Sequence, residues 1–185
     1  MDKLNLKDYT FQKVIDFWFS QENKPKWYIK DKEFDKIISE KFLDYYKEAA
    51  IGNLDHWKLS PEGTLSLIIL LDQFPRNMFR GHPKSFATDS KALSITKEAI
   101  AKGLDKNLST EYKQFLFMPL MHSENLEDQN LSVQLFINNP YSHEYAKRHM
   151  DIIKKFGRFP HRNVILGRIS TEEEVRFLTT PNSSF

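Results

Sequence analysis

Ser60-Pro61-Glu62-Gly63-Thr64-Leu65-Ser66-Leu67-Ile68-Ile69-Leu70-Leu71 is a helix written with its own start signal. A serine hydroxyl can accept the free N–H groups of a first turn, and proline is tolerated at the first helical position because its missing N–H has no partner there. From Leu65 to Leu71 the segment is apolar on nearly every side, which predicts a central helix surrounded by others. Pro75 is expected to end or kink it, since a proline inside a helix removes one N–H and crowds the carbonyl four residues back.

The flanking sequence keeps helical period. Phe11, Val14, Ile15 and Trp18 recur at i, i+3, i+4 and i+7, and Phe34, Ile37, Ile38, Phe42, Tyr45, Tyr46 and Ala49 extend the same spacing over several turns. Asp31 is placed to cap that second helix and Gly52 to stop it. Further helices are expected from Asp89 to Lys102, from Ser109 with a kink at Pro119, from Asn125 to Ile137, along the stripe Tyr145, His149, Ile152, Ile153 and Phe156, and from Pro160 to Gly167. Ser170-Thr171-Glu172-Glu173 reads as a capping box for a last one. No alternating run of Val, Ile and Thr marks a strand. The expected fold is all-α, a single domain over 1–185, with about eight or nine helices stacked as antiparallel pairs in a tetratricopeptide-like superhelix.

Composition removes several function classes. A chain of 185 residues with 40% hydrophobic and 28% charged residues is ordinary for a globular domain. The net charge of +2 is too small for a dedicated nucleic-acid binder. There is no cysteine, so disulfides, thiolate catalysis and cysteine-based metal sites are all excluded, and a reducing cytoplasm is the expected compartment. The stretch from Met1 to Tyr9 has no apolar signal core, and Leu65 to Leu71 is far short of a membrane span, so no membrane partner is expected.

The distribution of arginine is uneven. Lysine outnumbers it heavily, and no arginine precedes Arg76. Most of the arginines fall in or just after two stretches, Asp72-Gln73-Phe74-Pro75-Arg76-Asn77-Met78-Phe79-Arg80-Gly81 and Phe156-Gly157-Arg158-Phe159-Pro160-His161-Arg162-Asn163, with Arg168 following. Lysine suffices for solubility. A guanidinium is needed where a planar, always-charged fork must hold a carboxylate or phosphate in fixed geometry. The two stretches are therefore expected to build one polar site or one structural lock.

These motifs, with Phe86-Ala87-Thr88-Asp89, His122-Ser123-Glu124, Asp128-Gln129, Gly167-Arg168, Asp16-Phe17-Trp18-Phe19 and Gly52-Asn53-Leu54-Asp55-His56-Trp57, resemble the bacterial family called domain of unknown function 924. The resemblance covers nearly the whole chain. It implies an all-helical fold related to the tetratricopeptide-like superhelices, and no established activity, so it assigns no catalytic residue.

The residues themselves offer three constellations. In the first, Asp72 orients Arg76 or Arg80, with Asn77 beside them, either to line a cleft or to fix the exit of the central helix. In the second, Arg158 and Arg162 flank the N-terminus of a short helix at Pro160, favouring an anion there, and His161 in its first turn stays neutral as a proton acceptor. Asn163 and Arg168 complete that site, or His161 and Asn163 merely tie loops together. In the third, His122, Glu124, Asp128 and His149 form a Glu124–His149 or Asp128–His161 dyad, a general base. Their spacing matches no metal signature, and no metal is assigned. Trp18, Phe19, Trp27, Tyr28 and Trp57 at helical spacing read as packing rather than a stacking platform. Gly-rich phosphate loops and a Gly-x-Ser-x-Gly elbow are missing, so no cofactor is expected. The expected function is binding of a small anionic metabolite, with cofactor-free hydrolysis or proton transfer as the chemistry if the protein is an enzyme. The alternative is an interaction module for a peptide or protein, in which the motifs are a lock.

Overall fold

The computed structural model describes residues 9–184. The leading stretch read as lacking a signal core lies outside them, apart from Tyr9. Among the described residues the chain is helical, without strands, as the period of its apolar residues predicts. None of their helices is long and apolar enough to cross a membrane. The chain divides into two compact units. One holds the described residues through Arg80 together with Lys84–Pro119; the other holds Gly81–Pro83 and the residues from Leu120 onward.

The first unit contains α1 (Phe11–Trp18), α2 (Lys32–Ile51), α3 (Pro61–Ile68), α4 (Phe74–Met78), α5 (Asp89–Ala101) and most of α6 (Thr110–Met121). Its helix ends are set locally. The Asp31 carboxylate accepts the N–H groups of Glu33 and Phe34 at 2.9 and 3.1 Å, and Gly52 closes α2 at φ 92°. The Ser60 hydroxyl accepts the Gly63 N–H at 3.1 Å, with Pro61 at the first helical position. Leu65 and Leu67 to Leu71 have no exposure at all, so the segment is central within this unit. Aromatic rings surround it: Trp18 lies 5.5 Å from both Phe74 and Phe115, and Phe42 lies 4.8 Å from Phe74. Trp18 and Trp57 are core residues, whereas Tyr28 is exposed.

Pro75 does not end the central helix. The backbone widens to a π turn over Ile69–Gln73, in which the Phe74 N–H reaches back to the Ile69 carbonyl, and continues as α4. The reason lies in Leu71, four residues before the proline. Its carbonyl cannot receive the N–H that Pro75 lacks. The Thr88 hydroxyl donates to it instead, at 2.5 Å. The widened turn faces the protein interior, and Asp72 within it is fully buried.

The second unit contains α7 (Leu126–Leu135), α8 (Pro140–Phe156) and α9 (Glu172–Leu178). Asn125 caps α7 by accepting from the Glu127 N–H at 2.8 Å, and Gly157 ends α8 at φ 69°. α7 and α8 pack together, and Ile152, Ile153 and Phe159 are buried with Phe156 and Phe177 against them. Two local expectations are corrected. The helix expected from Pro160 to Gly167 is a single 3-10 turn, Pro160–Arg162, followed by turns that close at Gly167 with φ 66°. The capping box sits one residue later than expected: the Glu174 N–H donates to Thr171 Oγ1 at 3.2 Å, and the Thr171 N–H donates to Glu174 Oε2 at 2.7 Å. The Ser170 hydroxyl instead accepts from Asn163 Nδ2 at 3.0 Å.

Candidate functional site

In the first unit the motif arginines are forked onto carboxylates. Arg76 donates to both oxygens of Asp89, at 3.1 and 3.0 Å. Its Nη1 also donates to the backbone carbonyl of Asp72, and the Asp72 carboxylate lies 3.4 Å away. Burial works against the Arg76 charge, but Asp72 and Asp89 outweigh it and hold its pKa above the ordinary value. Arg80 donates to both oxygens of Asp35 at 2.8 Å, and Asn77 Nδ2 joins the same carboxylate at 2.8 Å. The bidentate acids are thus Asp89 and Asp35, and Asp72 is a lateral partner of Arg76 alone. The i, i+4 spacing located the lateral contact. The forks come from residues 13 and 45 positions away.

In the second unit the same device recurs. Arg158 donates to Glu174 at 2.7 and 2.8 Å and to the Ile169 carbonyl at 2.8 Å. That fork and the Thr171 N–H pull the Glu174 carboxyl down to about 2, against the effect of burial. Arg168 donates to Glu124 at 2.7 and 3.0 Å and to the Phe159 carbonyl at 3.0 Å. The Phe159 N–H also donates to Glu124, at 2.8 Å. Burial opposes the Glu124 charge, yet the Arg168 fork, the Phe159 amide and the charges of Arg168 and Arg162 keep its pKa below the ordinary value. The anion expected at the start of the 160s segment is therefore the protein's own Glu124. A three-residue turn carries no macrodipole of consequence. The expected Glu124–His149 dyad does not form, because Glu124 is committed to Arg168 and Phe159.

Two imidazoles, His149 and His161, flank the buried Phe159 ring, and a third, His122, lies beside His149. His149 lies 5.6 Å from Phe159 and 6.3 Å from His122, and His161 lies 5.7 Å from Phe159. The Arg162 guanidinium stacks 4.7 Å over Phe159 and donates to the His122 carbonyl at 3.1 Å. His149 Nδ1 is 2.8 Å from the Tyr145 carbonyl, which can only accept, so the proton sits on Nδ1 and Nε2 carries the lone pair. Burial, then the neighbouring His122, Arg162 and His161, pull the His149 pKa down to about 3, against the Tyr145 bond. Asp128 is buried and accepts from the Ser123 hydroxyl at 2.7 Å. Among the described residues no group of three or more His, Cys, Asp or Glu is arranged to hold a metal.

A buried neutral histidine makes stability depend on pH. Because the folded pKa lies below the ordinary histidine value of 6.5, the contribution is complete above pH 6.5 and is lost as pH falls toward 3. His149 alone should cost about 1.4 kcal/mol per pH unit across that window. Urea denaturation of wild type and His149→Phe at a series of pH values checks it: the variant should show a flatter decline below pH 6.5, and an identical decline would contradict neutral burial.

Residues 14–182 match the model of a family described as bacterial protein of unknown function, DUF924. The chain belongs to this family. The chain is similar to a solved structure of a protein of unknown function from Agrobacterium tumefaciens, with 38% sequence identity and a TM-score of 0.88, the match covering 91% of this chain and 96% of that one. No curated protein matches the chain.

Within this DUF924 chain, the sequence-expected residues His122, Glu124, Asp128, His149, Arg158, Arg162, Asn163, His161 and Arg168 all lie in the second unit, while Asp72, Arg76, Asn77 and Arg80 lie in the first. Residue types alone missed Asp35, Asp89, Glu174 and Phe159. Asp89 and Phe159 stand inside motifs and were within reach. Asp35 and Glu174 carry no local signal, since they look like any surface acid on a helix.

Proposed function

We propose that the protein binds a small anionic molecule, carboxylate- or phosphate-bearing, at the His122–His161–Arg162 face of the second unit, with His149 as a fixed neutral acceptor behind it. The observation that carries this reading is the placing of His149, His161 and the Arg162 guanidinium about Phe159, with His122 beside His149. Arg162 supplies charge next to imidazoles, whose ring nitrogens can donate or accept hydrogen bonds, a combination suited to an oxyanion. Arg76, Arg80, Arg158 and Arg168 act as clamps, each closing on a carboxylate of its own unit. If the site performs a reaction, cofactor-free hydrolysis or proton transfer fits its chemistry, with His161 or His122 moving the proton. A cytoplasmic setting belongs to this reading, supported by the cysteine-free sequence.

A second reading has its own support. The four bidentate arginine–carboxylate pairs are what a structural lock would look like, and a tetratricopeptide-like module for a peptide or protein partner would need such a lock to hold its helices. Thermal shifts with phosphate, citrate and malate separate the two. The anion reading expects a rise in melting temperature for wild type with at least one of them, reduced in Arg162→Met and His122→Ala. Melting temperatures that ignore all three anions would favour the lock.

A further inference from the structure

We infer that Gln129 is a positioning residue for the anion site proposed above, and the inference rests on that proposal. α6 ends at Met121, and the last carbonyls of a helix lack N–H partners of their own. Here the usual glycine stop is absent. The Gln129 side-chain amide, reaching from α7 with no solvent exposure, takes its place. Its Nε2 donates to the carbonyls of Leu120, Met121 and Ser123, at 3.4, 2.7 and 2.6 Å. Carbonyl oxygens only accept, so three of them around one end of the amide identify that end as the nitrogen. The three bracket His122. Its own carbonyl receives Arg162, and the following residue, Ser123, is tied by its hydroxyl to Asp128. One buried amide thus fixes the backbone from which both the His122 ring and the Arg162 anchor take their direction.

The other end of the amide sharpens the point. Gln129 Oε1 is buried and has no hydrogen-bond partner in the protein. An unpaired buried acceptor costs stability, and a glycine stop would avoid it. A residue kept for stability alone is poorly suited to this position. One kept to aim His122 and Arg162 is well suited.

The test is a calorimetric titration of inorganic phosphate into wild type, Gln129→Met and Ser132→Ala, with the His122 ring resonance followed by NMR before phosphate is added. Ser132 lies on the same helix, is equally buried and makes no bond to α6, so its variant reports general loosening. Gln129→Met should weaken phosphate binding about tenfold, the order seen when an outer support of a site is removed. It should also shift the His122 resonance, while Ser132→Ala keeps wild-type affinity. If Gln129→Met does not fold, Gln129→Asn retains the amide but is one methylene too short to span the carbonyls, and the same weakening is expected. Unchanged affinity in the Gln129 variants, or equal weakening in Ser132→Ala, would overturn the positioning role and leave the site standing. A wild-type protein that takes up no phosphate, citrate or malate would overturn the site, and the role of Gln129 with it.

Discussion

Replacing Arg76 by methionine is expected to destabilise the first unit by about 3–5 kcal/mol, the cost of removing one partner from a buried ion pair. The size follows from what is left behind. Asp72 has no exposure, and Asp89 loses both donors of its fork. The Gln73 amide still donates to Asp72, but a neutral donor does not replace a charge. Arg76→Lys should recover little, because an ammonium cannot span the two Asp89 oxygens and also reach the Asp72 carbonyl. Adding Asp72→Asn to Arg76→Met should return roughly half of the loss, since the uncompensated buried charge is then gone. Urea denaturation of the three variants at neutral pH measures this. A double variant no more stable than Arg76→Met would mean that the buried Asp72 charge is not the source of the cost.

Glu124→Ala is expected to destabilise the second unit by about 2–4 kcal/mol. It strips the Arg168 guanidinium of its fork and the Phe159 N–H of its acceptor in one step. The estimate lies below that for Arg76 because Glu124 and Arg168 keep side-chain exposures of 30% and 23%, so water can take over part of the lost bonding. Glu124→Gln retains one acceptor oxygen and should lose only about half as much. Since the carboxyl sits below its ordinary pKa, its contribution is complete at neutral pH and fades as pH falls through the carboxylate range. The stability difference between wild type and Glu124→Gln should therefore shrink on acidification. A difference independent of pH would contradict an ionised, clamped Glu124.

What the sequence made legible was local. Asp31, Gly52, Ser60-Pro61, Asn125 and Gly157 each announce a helix end through chemistry contained within a few neighbouring residues, and each sits where that chemistry requires. Leu65 to Leu71 declared its own burial through the lack of a polar face. Of the two expectations for Pro75, an end or a kink, the end does not occur: the chain passes through a π turn, and the Leu71 carbonyl is satisfied by Thr88 from another part of the chain. The arginines stood out in the sequence, and their pairings did not. The arginine-rich stretches contain residues that fork onto carboxylates. Which acid meets which arginine is decided by packing, over separations of 45 residues for Arg80 with Asp35 and 44 for Arg168 with Glu124. Arginine enrichment thus marks carboxylate clamps at Arg76, Arg80, Arg158 and Arg168.

The most direct test of the anion-binding claim is an isothermal titration of inorganic phosphate, citrate and malate into wild type, Arg162→Met and Arg158→Met at neutral pH. Saturable heat with at least one anion in wild type, lost in Arg162→Met and retained in Arg158→Met, is the predicted result. No saturable heat with any of the three, or equal heats in wild type and Arg162→Met, would contradict it.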